Sequence, residues 1–409
     1  LSTDPLPKIQ ALIRALVPAN RFVSGRLMAT KIANGLESIE DFTKSVPCTQ
    51  KDDLAADQEA NPPYGTNLTF SIDRYTRFCQ TSGTTSRPLS ILDTAESWRW
   101  MLDNWQHIFE AAEVSSGSKV YFAFSFGPFL GFWTAFEAAV ERGCLCFPGG
   151  GLTSAARLRA IAEHRVEVVC CTPTYALRLA EVAREEGIGA SLDSVRTLIV
   201  AGEPGGSLPA VRMRIRAGWK NARVFDHYGM TEVGPVAFED PEKEGSLRIV
   251  EDSYFAEVIQ PGGNEPVPEG DVGELVLTPL GRAAWPLLRY RTGDLVRCSC
   301  DSRGLLLHGG ILGRADDMVV IRGVNIYPSA VEALIRQVPE IAEYQVQIET
   351  GAELLEMTIH VETSEAASAK RLERLLNETF SLRIPVELTP SGTLPRFEMK
   401  ARRWVRLSS

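Results

Sequence analysis

Between residues 119 and 226 the chain alternates short apolar runs with amphipathic stretches, and few folds accommodate that alternation. The runs 119–124, 144–147, 166–171, 197–201 and 223–226 have the length and composition of strands. Between them, 132–142, 154–164, 173–186 and 208–217 place apolar residues three and four apart, the spacing of one helix face. Gly143 and Gly187 follow the first and third of these, where glycine commonly ends a helix. Strands separated by helices predict a parallel sheet covered on both faces, whose ligands sit where loops leave the strand C-termini. Two such loops become candidates: Ala201-Gly202-Glu203-Pro204 and the stretch from Asp226 through Glu232.

The flanks have a different character. Trp98, Met101, Leu102, Trp105, Ile108 and Phe109 line one face of a helix predicted over 94–114, capped by Asp93 or Thr94. Residues 1–75 mix helical pattern (9–16 and 27–36) with a linker over 53–69 rich in Asn, Pro and Gly. Past residue 245 short strands at 255–259, 273–278, 287–289, 294–297 and 305–307 predict a β-rich subdomain. From Gly313 the pattern shifts again: strand 318–322, helix 329–338, strands 344–348 and 354–361, helix 367–380 and strand 386–388. The expectation is an α/β protein. Its large N-terminal domain, 1–315, combines a parallel helix-covered sheet with a β-rich subdomain over about 245–312, and 316–409 forms a small, mobile α+β domain.

Length and charge exclude several function classes. At 409 residues and 44% hydrophobic, the chain can build two or three cores, which argues against disorder. A net charge of −9 argues against a general nucleic-acid or membrane binder, although 212–223 and 396–406 are locally basic. No apolar run approaches the roughly 18 residues that span a bilayer. Leu1-Ser2-Thr3-Asp4-Pro5 lacks signal-peptide character, so the expected location is the cytoplasm. The eight cysteines, mostly inside apolar stretches, are expected to be reduced.

Ahead of the alternating region, Thr81-Ser82-Gly83-Thr84-Thr85-Ser86-Arg87-Pro88 concentrates hydroxyls, a permissive glycine and a guanidinium in one loop. Hydroxyls and backbone N–H groups can wrap anionic oxygens while Arg87 adds charge, so the loop reads as a polyphosphate clamp. It is not a Walker loop, which requires Gly-Lys-Ser/Thr opening a helix.

Four further motifs follow in order: Tyr228-Gly229-Met230-Thr231-Glu232, Tyr290-Arg291-Thr292-Gly293-Asp294, Gly313-Arg314-Ala315-Asp316-Asp317-Met318, and a late Lys400. With the polar loop, they resemble the adenylate-forming superfamily of acyl-CoA synthetases. Thr172-Pro173-Thr174-Tyr175-Ala176, the stretch Arg322-Gly323-Val324-Asn325-Ile326-Tyr327-Pro328 and Leu394-Pro395-Arg396-Phe397-Glu398-Met399-Lys400 look most like the phenylacetate-CoA ligase branch. The resemblance implies ATP, Mg²⁺ and coenzyme A as co-reactants and an aromatic carboxylic acid as substrate. It further implies that Thr81, Ser82, Gly83, Thr84, Thr85 and Arg87 hold phosphates, and that Asp294 accepts from the ribose hydroxyls. Thr231 and Glu232 would flank the α-phosphate, Glu232 as the Mg²⁺ ligand. Gly202, Glu203, Pro204, Asp226, His227, Tyr228, Gly229 and Arg314 would complete the nucleotide site. Lys400 would bridge the attacking carboxylate and the α-phosphate as a point charge. After adenylation the C-terminal domain would rotate about Asp316 and remove that lysine. Ser86 stands where the superfamily generally has glycine, and Leu89 where many members carry lysine.

An acid pocket is expected from Phe126, Gly127, Phe129, Gly131, Phe132 and Trp133 with Tyr175, Ala201, Gly229 and Met230. Aromatic rings interrupted by glycines suit an aryl ring. His227 is a candidate contact to the carboxylate or a ring substituent. Cys298, Cys300 and His308 are soft donors that could hold structural zinc, although the stretch from Arg248 to Ser253 lacks the histidine that relatives carry. The acceptor stays open between coenzyme A and a carrier-protein thiol, an amine or a cofactor hydroxyl, and a homodimer is implied by resemblance alone. A non-catalytic acyl-nucleotide binding protein is the reading from another class. Retention of Thr231, Glu232, Asp294 and Lys400 speaks against it.

Overall fold

A computed structural model describes residues 4–28, 30, 32, 35–81, 88–220, 222–322, 324–350, 355–397 and 401–407. The chain forms two compact units, Leu1–Gly150 with Phe225–Gly310, and Gly151–Val224 with Ile311–Ser409. Each unit draws on two stretches of sequence, a grouping that no local pattern announces.

In the first unit the expected amphipathic helix is Ala95–Ala111, and all six of its patterned residues are buried. Thr94, not Asp93, is its cap, accepting from the Ser97 N–H at 3.3 Å. The polar loop joins two antiparallel strands, Tyr75–Gln80 and Ser90–Thr94. Lys119–Phe122 pairs in parallel with Leu145–Pro148, and Leu130–Glu141 is the helix between them. The β-rich region is an antiparallel succession. Arg223–Met230 pairs with Gly234–Glu239, which pairs with Leu247–Ile249 and, through Gly304–Leu307, with the long strand Tyr290–Asp301. Val272–Pro279 and Tyr254–Ile259 complete it. The sequence pattern divided Tyr290–Asp301 into pieces because its turn-like Thr292-Gly293-Asp294 lies within a continuous strand. A separate N-terminal core gathers Ile9, Leu12, Leu16, Phe42 and Val46 around Leu288.

In the second unit, the fully buried strands Val168–Cys171 and Thr197–Val200 pair in parallel. Parallel pairing brings the segments after Cys171 and Val200 to one edge. Helices Pro173–Glu185 and Pro209–Gly218 follow, each with proline in its first turn, where a missing N–H costs nothing. The C-terminal part has a four-stranded sheet in the order Val386–Thr389, Leu355–Glu362, Glu343–Thr350, Trp404–Leu407. Helices Pro328–Arg336 and Ala366–Phe380 share its core, with Val331, Ile335, Ile359, Leu372 and Leu376 at its centre. Among the described residues no helix is long and apolar enough to cross a membrane. The thiols of Cys79, Cys146 and Cys171 are pushed up to about 12 by burial, which keeps them protonated and unreactive.

Candidate active site

Thr231 and Glu232 lie in the turn between the strands Arg223–Met230 and Gly234–Glu239, and this turn is fastened at three consecutive carbonyls. Arg282 Nη1 donates to the carbonyls of Thr231 and Glu232 at 2.9 and 2.8 Å, and the Tyr254 hydroxyl donates to that of Val233 at 2.8 Å. Arg282 is itself wholly buried and bound through Nε and Nη2 to both carboxylate oxygens of Asp93, at 2.8 and 2.5 Å. Gly234 closes the turn at φ +90°, and a Cβ there would press on Met101 and the Tyr254 hydroxyl at 3.2 Å. The motif is thus held by residues that carry no motif of their own. Asp93 was marked only as a candidate helix cap and Arg282 not at all, since their pairing joins residues 189 apart.

The Glu232 carboxylate is nearly buried and has Lys51 Nζ at 3.3 Å. Strand pairing explains Gly229 without any ligand: a Cβ there would meet the Gly234 carbonyl at 2.7 Å. Tyr228 donates its hydroxyl to Asp294 Oδ2 at 2.6 Å, so the Tyr228 and Asp294 motifs meet directly. Asp226 is buried, and its N–H is held by Glu239 Oε2 at 2.9 Å. The His227 ring meets Trp105 edge-on with centroids 4.5 Å apart, and its Nδ1 is buried with no hydrogen-bond partner among the described residues. Burial lowers its pKa to about 4, so it is a neutral imidazole at physiological pH.

The expected pocket aromatics of this unit form one cluster. Phe124 stacks on Phe132 at 4.2 Å, while Phe126 meets Trp133 at 4.9 Å and Phe129 meets Phe132 at 5.9 Å. Trp133 Nε1 donates to the Gly127 carbonyl at 2.8 Å. Phe126, Phe129 and Phe132 are half-buried and Trp133 is exposed, so the cluster presents a ring surface. Gly131 has open space where its Cβ would be. Trp105 Nε1 donates to Thr134 on the same helix at 3.0 Å, linking His227 to the element that carries Phe132.

At the base of the polar loop Thr81 is buried, and its hydroxyl accepts from the Leu89 N–H at 3.0 Å. Leu89 is also buried, a placement that suits leucine better than lysine. Ser82, Gly83, Thr84, Thr85, Ser86 and Arg87 lie outside the described residues, as does Lys400.

In the second unit Ala201, Gly202, Glu203 and Pro204 follow the strand Thr197–Val200, with Gly202 at φ +92°. Both Glu203 oxygens are taken by main-chain donors, Oε1 by Thr174 N–H at 2.8 Å and Oε2 by Ala401 N–H at 3.0 Å. Glu203, expected in the nucleotide site, thus has both carboxylate oxygens engaged by the backbone. Tyr175, expected in the acid pocket, has no exposed surface, and its hydroxyl accepts from Arg157 Nη1 at 2.6 Å and sits 3.0 Å from Ser154 Oγ. Arg314 clamps Asp316 in a bidentate pair, at 2.7 and 2.8 Å, joining the expected nucleotide-site arginine to the expected hinge.

The candidate zinc donors Cys298, Cys300 and His308 do not form a three-ligand cluster among the described residues. Successive strand residues face opposite sides, so Ser299 faces away from Cys298 and Cys300. His308 Nε2 pairs with Ser299 Oγ at 2.6 Å, and no group of three His, Cys, Asp or Glu among the described residues could hold an ion.

Residues 27–279 match the family described as AMP-binding enzyme, and 323–406 match the AMP-binding enzyme C-terminal domain. The chain is 32% identical to the phenylacetate-coenzyme A ligase of Thermus thermophilus, over 97% of this chain and 94% of that one. Against the Escherichia coli phenylacetate-coenzyme A ligase it is 30% identical, over 88% and 84%. Among solved structures, 2-hydroxyisobutyryl-CoA ligase in the postadenylation state with 2-HIB-AMP superimposes with a TM-score of 0.91 at 28% identity, over 98% of this chain and 88% of that one. The protein therefore belongs to the phenylacetate-CoA ligase family of adenylate-forming, AMP-forming acid–thiol ligases.

Proposed function

We propose that this ligase activates an aromatic carboxylic acid of the phenylacetate, benzoate, hydroxybenzoate or aminobenzoate type. The acid would be joined to AMP and then transferred to the thiol of coenzyme A. The observation that carries the aromatic reading is the ring surface of Phe126, Phe129, Phe132 and Trp133, ordered by its own contacts. Such a surface offers an aryl ring about 0.5–1.5 kcal/mol per ring pair beyond simple burial, and a short aliphatic acid cannot collect it. Neutral His227, with an unpartnered Nδ1, suits a polar ring substituent.

In the first step a carboxylate oxygen attacks the α-phosphorus of ATP and pyrophosphate leaves. In the second the thiol sulfur attacks the acyl carbonyl, the thiol proton is lost and AMP leaves. Neither step needs a covalent bond to the protein, which has only to bring anions together and offset developing charge. The 82–87 loop would hold phosphates, Asp294 steadied by Tyr228 would accept from the ribose, and Lys400 would bridge the reacting oxygens. Glu232 is a hard oxygen donor that would hold Mg²⁺ in competition with Lys51 Nζ, 3.3 Å away, and the bound ion would supply charge neutralisation at the phosphates. Asp316 would be the hinge between the two steps.

The test is pyrophosphate release with ATP and Mg²⁺ across benzoic, hydroxybenzoic, aminobenzoic, phenylacetic, 2-hydroxyisobutyric and fatty acids, each with and without coenzyme A. Release driven by an aryl acid together with coenzyme A is expected. Preference for 2-hydroxyisobutyrate would overturn the aromatic reading, and release indifferent to coenzyme A would move the acceptor to a carrier protein or an amine.

A further inference from the structure

The described residues on either side of Lys400 in sequence are fastened, and the fastenings differ in kind. On one side Arg396 Nη2 binds Glu362 Oε2 at 2.6 Å, and Glu362 also accepts from the N–H groups of Gly392 and Leu394 at 3.1 and 2.6 Å. These contacts hold the Glu362 carboxyl down to about 2, although burial opposes them. On the other side Arg403 Nε and Nη2 bind both oxygens of Glu343 at 2.6 and 3.1 Å. All of these residues belong to the C-terminal sheet or its edges, so any motion of that domain carries the contacts along unbroken.

Glu203 is of another kind. It lies in the loop after the strand Thr197–Val200, more than a hundred residues before the C-terminal domain begins in sequence. Its carboxylate spans two main-chain donors, the Thr174 N–H in the first turn of the helix Pro173–Glu185 and the Ala401 N–H directly after Lys400. The helix N-terminus stabilises the anion on one side, and Ala401 is held by a charge-assisted bond on the other. Thr174 adds a weaker contact, its Oγ1 accepting from Arg403 Nη1 at 3.3 Å.

The geometry points to Glu203 as a positioning residue for the first half-reaction: it anchors the main chain at Ala401 so that the Lys400 ammonium is delivered for adenylation. Together with the weaker Thr174–Arg403 contact, the Glu203–Ala401 bond has to break before the C-terminal domain can turn to the second step. This role rests on the reading of Lys400 given above.

The test is Glu203→Gln. Glutamine can accept from only one of the two donors and turns an NH₂ group on the other, so the bridge is lost with little change in size. Hydrogen exchange at the Ala401 amide, read on peptides that begin at least two residues before it, is expected to accelerate about tenfold. Adenylate formation from phenylacetate, ATP and Mg²⁺ is expected to fall about 10-fold to 100-fold. Thioester formation from supplied phenylacetyl-adenylate and coenzyme A is expected to fall less than adenylate formation, because that step does not use the lysine. Glu203→Asp, which keeps the charge but is too short to span both donors, repeats the measurement should the glutamine variant fold poorly. Unchanged exchange at Ala401 overturns the anchor whatever the activity. Equal loss of both half-reactions makes Glu203 a structural residue only, and overturns the positioning role. A wild-type protein that forms no adenylate from any acid overturns the activation reading, and an accelerated Ala401 amide would then mark a tie with no catalytic purpose.

Discussion

Removing one member of the Asp93–Arg282 pair should separate two things that this pair does at once, supporting the first unit and shaping the Thr231-Glu232 turn. Both side chains are fully buried, and Arg282 makes four hydrogen bonds, two to Asp93 and two to the turn carbonyls. Asp93→Asn leaves the guanidinium in place with its carbonyl bonds but without a counter-charge. Breaking a buried pair in this way costs about 3–5 kcal/mol. Arg282→Met strands the Asp93 carboxylate and two buried carbonyls, which adds about 1–3 kcal/mol for each acceptor left unmade. Against a total stability of about 5–15 kcal/mol, the arginine variant should be near the limit of folding. Urea denaturation gives the order wild type, Asp93→Asn, Arg282→Met. Pyrophosphate release below the transition should be retained in large part in Asp93→Asn and lost in any Arg282→Met that folds, because only the second frees the turn. Stability losses under about 1 kcal/mol in both variants, or equal activity in both, would refute the reasoning.

Three other residues give shorter tests. Lys51→Met removes the cation 3.3 Å from Glu232, so the concentration of Mg²⁺ giving half-maximal activity should fall about twofold to fivefold, and a rise would contradict Glu232 as the ion's ligand. Burial lowers the His227 pKa from 6.5 to about 4. The unfolded chain therefore takes up a proton that the folded protein refuses, and stability falls as pH drops from about 6.5 to about 4. His227→Phe should flatten that part of the stability curve by about 3 kcal/mol at most, as measured by denaturation across the window; an unchanged slope would show that the ring is accessible to protons. Glu362, lowered to about 2, acts in a more acid window: its contribution is full above about 4.5 and is lost as pH falls toward 2, so Glu362→Gln should make the curve shallower there.

What could be read from sequence was what repeats locally. The helix Ala95–Ala111 followed from its six spaced apolar residues, and the β-rich and C-terminal regions from changes in that spacing. The strand Trp404–Leu407 escaped because it is four residues long, basic, and pairs with Glu343–Thr350 more than fifty residues away. Partnerships set by tertiary structure were equally invisible. Asp93 looked like a helix cap, yet it neutralises Arg282, and nothing in the sequence announced that Arg157 and Ser154 would meet the Tyr175 hydroxyl. For His308 a usable signal was present: strand alternation at Cys298-Ser299-Cys300 puts the middle residue opposite the thiols, and it is this residue the imidazole binds. Glu203 carried a family position but not its bonds, because its second donor lies 198 residues away.

The most direct test of the account is to separate the two half-reactions in Lys400→Ala. Rapid-quench measurement of acyl-adenylate from the preferred acid, ATP and Mg²⁺ should show its formation all but abolished. Thioester formation from supplied acyl-adenylate and coenzyme A should continue at close to the wild-type rate. Loss of both in equal measure, or adenylate formation that survives the substitution, would contradict a ligase in which one lysine serves only the first step.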